Sequence, residues 1–276
     1  MPHFINYNGK IFHEDMPLVG SGNRGLRYGD GFFETMKMVD GEISLEAFHF
    51  ERFFASLQLM KFIIPAHFTI DFLKEQIRLL CLKNNLRKAA RIRLNIFRKN
   101  GGLYDPVDHS PDFIIEAWEL AENYFHLNTN GLVVDIYKEA RKSCDGFSSI
   151  KSNNYLVYSM GAMFAKENKL NDCLILNNHE RICDASIANV FWLQNKTICT
   201  PPISEGCIAG VMRRHLLQLL PQHGYSVQEK PLEIADLLVA EELFLTNAIS
   251  GIRWVKELRD RNYTNTTITE IYSILP

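Results

Sequence analysis

Lys151 stands in the stretch GFSSIKSNNYLVYSM (146–160), among serines, asparagines and tyrosines and with no acidic residue. A lysine is usually a solvated surface residue. An amine that acts as a nucleophile must instead shed its proton, which a desolvated or cationic setting promotes and a nearby carboxylate opposes. The flank of Lys151 suits the second role. Further features stand apart along the chain: RYGDGFFET (27–35), HFER (49–52), and ERICDASIANVF (180–191) followed by GCIAGVMRR (206–214). Arg52 puts a fixed cation on a helix, Asp184 a carboxylate at a strand end, and Gly210-Val211-Met212 opens a helix whose first amides suit an anion. Other chemistries lack their residues. There is no HExxH, no G-x-S-x-G and no C-x-x-C, and the nine histidines are scattered singly, so no metal site is expected. GSGNRG (20–25) lacks the G-x-G-x-x-G spacing and reads as a surface turn leading into a strand.

The elements that must position these residues can be read from turn chemistry and periodicity. INYNGKIF and GFFETMKMVDGEISL predict hairpins around Asn8-Gly9 and Asp40-Gly41. Phe50, Phe53, Phe54, Leu57 and Met60 fall at helical spacing, and a second helix is expected from Phe68 to Asn84. RIRLNIFR (91–98) and PDFIIEAWEL (111–120) read as strands. The polar run ENYFHLNTN is the expected linker, giving an N-terminal domain over 1–121, a linker over 122–130 and a C-terminal domain over 131–276. The second domain is expected to hold a helix over 153–168, a hairpin turning at Asn177-Asn178, strands NVFWLQ and TICTPP, a helix from 209 stopped by Gly224, and a late strand in EELFLTNA. Strands and helices mix without strict alternation, so the fold class is α+β.

Bulk composition excludes several partners. Thirty basic against 32 acidic residues, a net charge of -2, leave no excess cation for nucleic acid or anionic lipid. No apolar run approaches the roughly 20 residues of a membrane span, and the N-terminus carries His3, Lys10 and Glu14 too early for the apolar h-region of a signal peptide. The six unpaired-looking cysteines read as reduced thiols, and a cytoplasmic location is expected.

Taken in order, YGDGFFET, H-x-x-R, K-x-x-N, S-x-x-N-V-F and A-G-V-M-R resemble the fold-type IV pyridoxal-phosphate enzymes over nearly the whole chain. This is the class IV aminotransferase family, which includes branched-chain and D-amino-acid aminotransferases and 4-amino-4-deoxychorismate lyase. The resemblance implies a two-domain fold, pyridoxal 5'-phosphate as cofactor, a small amino-bearing substrate and a homodimer. It implies that Lys151 forms the Schiff base and that Arg52 binds the cofactor phosphate with Gly210, Val211 and Met212. Asp184 would face the ring nitrogen, where the family usually has the longer glutamate. Tyr155, Thr246 and Asn247 are expected near the cofactor; Arg98, Tyr28, Phe33 and Ala248 are expected at the substrate, with Arg27 and Arg253 weaker candidates.

Local details lean toward the lyase. Asn154 follows the lysine by three residues, Phe33 replaces the tyrosine of D-amino-acid enzymes, Asn100 replaces their histidine, and Met212 and LTNAISGIRWV resemble the lyase. The lyase reaction eliminates pyruvate as the substrate ring becomes aromatic, yielding the p-aminobenzoate used for folate. A branched-chain or D-amino-acid aminotransferase is the alternative. A non-catalytic relative, motivated by Asp184 and Met212, is the alternative from a different class.

Overall fold

The computed structural model describes residues 3–121 and 126–275. The chain forms two units, one of residues 1–121 with 150–154, the other of 122–149 with 155–276. Of the expected linker 122–130, residues 122–125 lie outside the described residues.

The first unit is built on a six-stranded sheet in the order β2-β1-β6-β5-β3-β4. Its strands are β1 (Phe4–Tyr7), β2 (Lys10–His13), β3 (Gly31–Val39), β4 (Glu42–Ile43), β5 (Ala89–Arg98) and β6 (Pro111–Glu119). Asn8 and Gly9, at φ 50° and 84°, close β1–β2, and Asp40 and Gly41, at 48° and 87°, close β3–β4. These left-handed values are what Asn, Asp and Gly tolerate in two-residue hairpins. GSGNRG does not lead straight into a strand. Asn23 caps a short helix, α1 (Arg24–Tyr28), by accepting from the Leu26 amide, and Gly29 ends it at φ 61°.

Helices α2 (Glu46–Leu59) and α3 (Ile70–Lys83) cover one face of this sheet. Phe50, Phe53 and Leu57 of α2 pack into a core with Phe32 and Met36 of β3 and Leu94 and Ile96 of β5. Burying each such side chain stabilises by about 1.5–3 kcal/mol and fixes the roll of the helix. Because β3 alternates faces, Phe32, Glu34 and Met36 point toward the helices, whereas Phe33, Thr35 and Lys37 point to the face without them.

The segment 150–154, expected in the C-terminal domain, belongs to the first unit. Phe33 N–H donates to the Lys151 carbonyl at 3.0 Å and Asn153 N–H to the Gly31 carbonyl at 2.9 Å, so the segment pairs with the start of β3. Ile150 anchors it in the core at 6% exposure.

The second unit holds a nine-stranded mixed sheet in the order β12-β11-β10-β13-β14-β7-β8-β9, with β15 paired to β14. The strands are β7 (Leu132–Lys142), β8 (Asp172–Asn177), β9 (Ile182–Ala185), β10 (Asn189–Gln194), β11 (Thr197–Thr200), β12 (Ser226–Glu229), β13 (Glu242–Asn247), β14 (Gly251–Leu258) and β15 (Arg261–Asn262). Helices α4 (Leu156–Glu167), α5 (Val211–Gln222), α6 (Ile234–Val239) and α7 (Thr266–Ser273) complete it. Helix α4 lies close on β8 through Gly161, where a Cβ would meet Ile175 Cδ1 at 2.8 Å and Cys173 Sγ at 2.9 Å. Ile175 pairs with Asp184 in the β8–β9 ladder, and that close approach brings Tyr158, one turn before Gly161, onto the Asp184 carboxylate. Among the described residues, no helix is long and apolar enough to cross a membrane, and no cluster of His, Cys, Asp and Glu could hold a metal ion.

Candidate active site

In the first unit, two sets of side chains lie on opposite faces of β3. On the face without helices, the Lys151 ammonium sits 4.6 Å from the centroid of the Phe33 ring and the Arg93 guanidinium 4.0 Å from it. Arg93 comes from β5, where it pairs with Thr35, two residues along from Phe33. Its ion pair with Glu116 is long, at 3.9 Å, and burial raises the Glu116 carboxyl above the ordinary range. Asn95, next on the same face of β5, has a buried Oδ1 with no hydrogen-bond partner.

On the helix-covered face, Glu34 is buried between two residues of α2. Arg52 donates from Nε to Oε1 at 2.7 Å and from Nη2 to Oε2 at 2.6 Å, and His49 Nδ1 lies 2.7 Å from Oε2. His49 and Arg52 are one helical turn apart, so both reach the same carboxylate. Burial pulls that carboxyl up, but Arg52 and His49 outweigh it and hold it at about 2. The guanidinium of Arg52 is thereby held in one plane by a bidentate pair.

The second unit carries a carboxylate site and an anion cradle. Asp184 is buried, with Oδ2 accepting from the Tyr158 hydroxyl at 2.6 Å and from the Ile208 amide at 2.9 Å, and Oδ1 accepting from Asn189 Nδ2 at 2.8 Å. An ionised carboxylate offers about four lone-pair positions, so Oδ1 keeps capacity for one more donor. Burial moves this carboxyl above its ordinary range, against the pull of Lys142 and the three hydrogen bonds.

Beside it, Gly210 precedes α5 without any side-chain cap. The first amides of a helix, here on Val211, Met212 and Arg213, have no partner earlier in the helix. A Cβ on Gly210 would fall 1.9 Å from Asn189 Oδ1, so only glycine allows this approach. Asn189 pairs directly with Thr246 across β10–β13. Thr246 is 1% exposed, yet its hydroxyl has no hydrogen-bond partner. An orphaned buried hydroxyl is costly unless a ligand completes it.

Several expected residues make structural contacts of their own. Arg98 is 5% exposed and its donors go to Asp30, the carbonyls of Met60 and Lys61, and His109, which ties the strand end to its loops. That engagement argues against Arg98 as the substrate cation. Asn247 Oδ1 accepts from Ile249 and Ser250 N–H, making it the organiser of the turn that contains Ala248. Tyr28 lies on α1, with the Arg24 guanidinium over its ring. Arg27 donates to the Ser21 carbonyl and Arg253 to that of His126. Tyr155 stacks on Tyr158 at 4.4 Å and donates to the Ser186 carbonyl at 3.4 Å. Met212 is buried and supplies no hydroxyl. Glu34, His49, Arg93, Lys142 and Tyr158 were not expected. A weak signal existed for His49 and Tyr158, which stand three residues from Arg52 and Tyr155.

One unit holds a lysine segment paired to its first long strand, and the other a buried carboxylate beside a glycine-opened helix. The chain belongs to the Amino-transferase class IV family, which matches residues 31–258. It is 27% identical over 237 residues to the aminodeoxychorismate lyase of Vibrio harveyi, covering 85% of each chain. The crystal structure of the branched-chain amino acid aminotransferase of Escherichia coli superposes with a TM-score of 0.86 at 23% identity, covering 99% of this chain and 92% of that one. A PLP-bound hypothetical aminotransferase from Mycobacterium tuberculosis superposes with a TM-score of 0.83 at 19% identity, over 98% and 96% of the two chains.

The protein is therefore a class IV enzyme dependent on pyridoxal 5'-phosphate. The residues present fit that group: the orphaned Thr246 hydroxyl and the Gly210 cradle suit a phosphate, and the Asp184 carboxylate suits a protonated ring nitrogen. Replacing Thr246 by valine is expected to leave the melting temperature of the cofactor-free protein unchanged or slightly higher, since it removes an unpaired buried hydroxyl. The same change is expected to weaken cofactor binding about ten- to hundredfold, the value of one hydrogen bond to a charged group. Fluorescence titration with pyridoxal phosphate checks this, and an unaltered affinity would take Thr246 out of the site.

Proposed function

We propose that this enzyme is a 4-amino-4-deoxychorismate lyase, releasing pyruvate and leaving p-aminobenzoate. The observation that carries the reading is the pair of cations on the Phe33 ring, Lys151 and Arg93. The substrate has two carboxylates, so it needs a cation apart from the one that takes the cofactor phosphate, and Arg93 is within one aromatic ring of the reactive amine.

In this reading Lys151 would hold the cofactor, take the proton from the substrate's amino-bearing carbon and give it to the departing enolpyruvyl group, which leaves as pyruvate. Arg52 would take the phosphate, as the motif resemblance implies; in the second unit the first amides of α5 and the Thr246 hydroxyl suit a phosphate, and Asp184 would accept from the ring nitrogen. When bound, the cofactor supplies an electron sink that acidifies the bond Lys151 acts on. Arg93 orients a substrate carboxylate, with Asn95 beside it, and the Phe33 ring shields the amine from water. Assembly as a homodimer belongs to the same proposal, supported by the exposed stripe Leu156, Met160 and Met163 on α4.

The test is product analysis. Incubation with aminodeoxychorismate is expected to give pyruvate and p-aminobenzoate, whereas amino acids with 2-oxoglutarate are expected to give little glutamate; glutamate alone would assign the protein to the aminotransferases. Replacing Arg93 by methionine is expected to raise KM for aminodeoxychorismate about tenfold or more, the scale of a lost charge-assisted bond. Borohydride fixation of the cofactor to Lys151 should be unchanged in that variant.

A further inference from the structure

Lys142 ends β7 with its side chain 10% exposed and its ammonium 3.6 Å from Asp184 Oδ2. It donates to the Ser148 carbonyl at 2.7 Å and lies 5.1 Å from the Tyr158 ring centroid, so carbonyl, ring and carboxylate together fix its position. A lysine is almost never buried unpaired, because desolvating an ammonium costs several kcal/mol.

We propose that Lys142 is a positioning residue for Asp184, keeping its carboxylate ionised and turning Oδ1 toward the cofactor. The inference rests on the reading of Asp184 as the partner of the ring nitrogen. Around Asp184 stand Tyr158 from α4, Lys142 from β7, Cys183 on its own strand and Cys207 from the segment before α5. Tyr158, Cys183 and Cys207 are all raised by burial and by Asp184 itself, which leaves them neutral. Lys142 is thus the cation that offsets the burial of this carboxylate. It also divides the two oxygens. Oδ2 meets Lys142, Tyr158 and the Ile208 amide, whereas Oδ1 meets Asn189 and retains a lone pair.

The experiment compares Lys142→Met and Lys142→Arg with the wild type. In the cofactor-free protein, the melting temperature of Lys142→Met is expected to fall further below wild type as pH rises from 4 toward 8. A carboxyl raised in the folded state contributes stability below its unfolded value and loses it as pH climbs through the folded one. Adding Asp184→Asn should abolish the pH-dependent part, and Lys142→Arg should restore most of the wild-type profile. A deficit of constant size at every pH would overturn the proposal.

With pyridoxal phosphate, the ratio of wild-type to Lys142→Met dissociation constants is expected to change about tenfold between pH 6 and 9, equivalent to one pKa unit. A ratio constant with pH would reduce the pair to a structural contact and equally overturn it. Should Lys142→Met not fold, carboxyl carbon NMR of the wild type, assigned by Asp184→Asn, still decides. Asp184 ionised at pH 7 supports the proposal, and Asp184 neutral at pH 7 defeats it. A wild type that bound no pyridoxal phosphate while keeping the pH linkage would reject the cofactor reading of Asp184 instead.

Discussion

Lys151→Ala is expected to fold with a melting temperature within about 2 °C of wild type, a change within the ±0.5 kcal/mol usual for sites away from core packing, and to lose more than about 10⁴ of its activity. The two halves have separate causes. The segment around Lys151 is held by its backbone, through Phe33 N–H to the Lys151 carbonyl and Asn153 N–H to the Gly31 carbonyl, and by Ile150 in the core. None of these contacts uses the lysine side chain. The amine, in contrast, is proposed both to attach the cofactor and to move a proton, and a positioned acid or base alone contributes about 10²–10⁴. Lys151→Arg sharpens the test, because it keeps a cation for the Phe33 ring without a usable nucleophile. Mass spectrometry after borohydride treatment should add the cofactor's mass at residue 151 in the wild type and in neither variant. Mass added at another lysine, or activity above about 1% in Lys151→Ala, is incompatible with the assignment.

Much of the scaffold was legible because its signals are local. Asn8-Gly9 and Asp40-Gly41 announce hairpins through conformations that few other residues adopt, and the apolar spacing in α2 and α3 follows the helical period directly. Helix α1 was missed because five residues are too few to show a period, and its cap Asn23 lies inside a glycine-rich run that also reads as a turn. The lysine segment was expected in the C-terminal domain by chain order, but its hydrogen bonds are to β3, more than a hundred residues earlier. Arg93, the proposed substrate cation, and Arg98, the expected one, show what strand position alone does not sort. They are five apart on one strand, hence on opposite faces, and the sequence does not say which face α2 and α3 will cover. Lys142 and Tyr158 meet Asp184 only through sheet register and the close approach of α4 at Gly161.

Glu34→Gln tests the other long-range cluster, and its expected effect depends on pH. Near neutrality the substitution leaves Arg52 and His49 against a neutral amide at a buried site, and breaking such a group costs about 3–5 kcal/mol. In a chain of this size that corresponds to a fall in melting temperature of roughly 6–15 °C. The Glu34 carboxyl is held at about 2 against an ordinary value of 4.5, which amounts to roughly 3 kcal/mol of stability. A depressed carboxyl contributes fully above its unfolded value and loses the contribution as pH falls through the folded one. Wild type should therefore lose stability between about pH 4.5 and 2, Glu34→Gln should lack that component, and the two should converge at the acid end. A gap of the same size at pH 2.5 and pH 7 would mean that packing, not charge, explains the loss. The same variant is expected to weaken cofactor binding about tenfold, because Arg52, the proposed phosphate ligand, no longer has a carboxylate holding its Nε and Nη2 edge and so setting the direction of the rest of its guanidinium. If stability falls while cofactor affinity holds, Glu34 supports the fold of the first unit but does not preorganise Arg52.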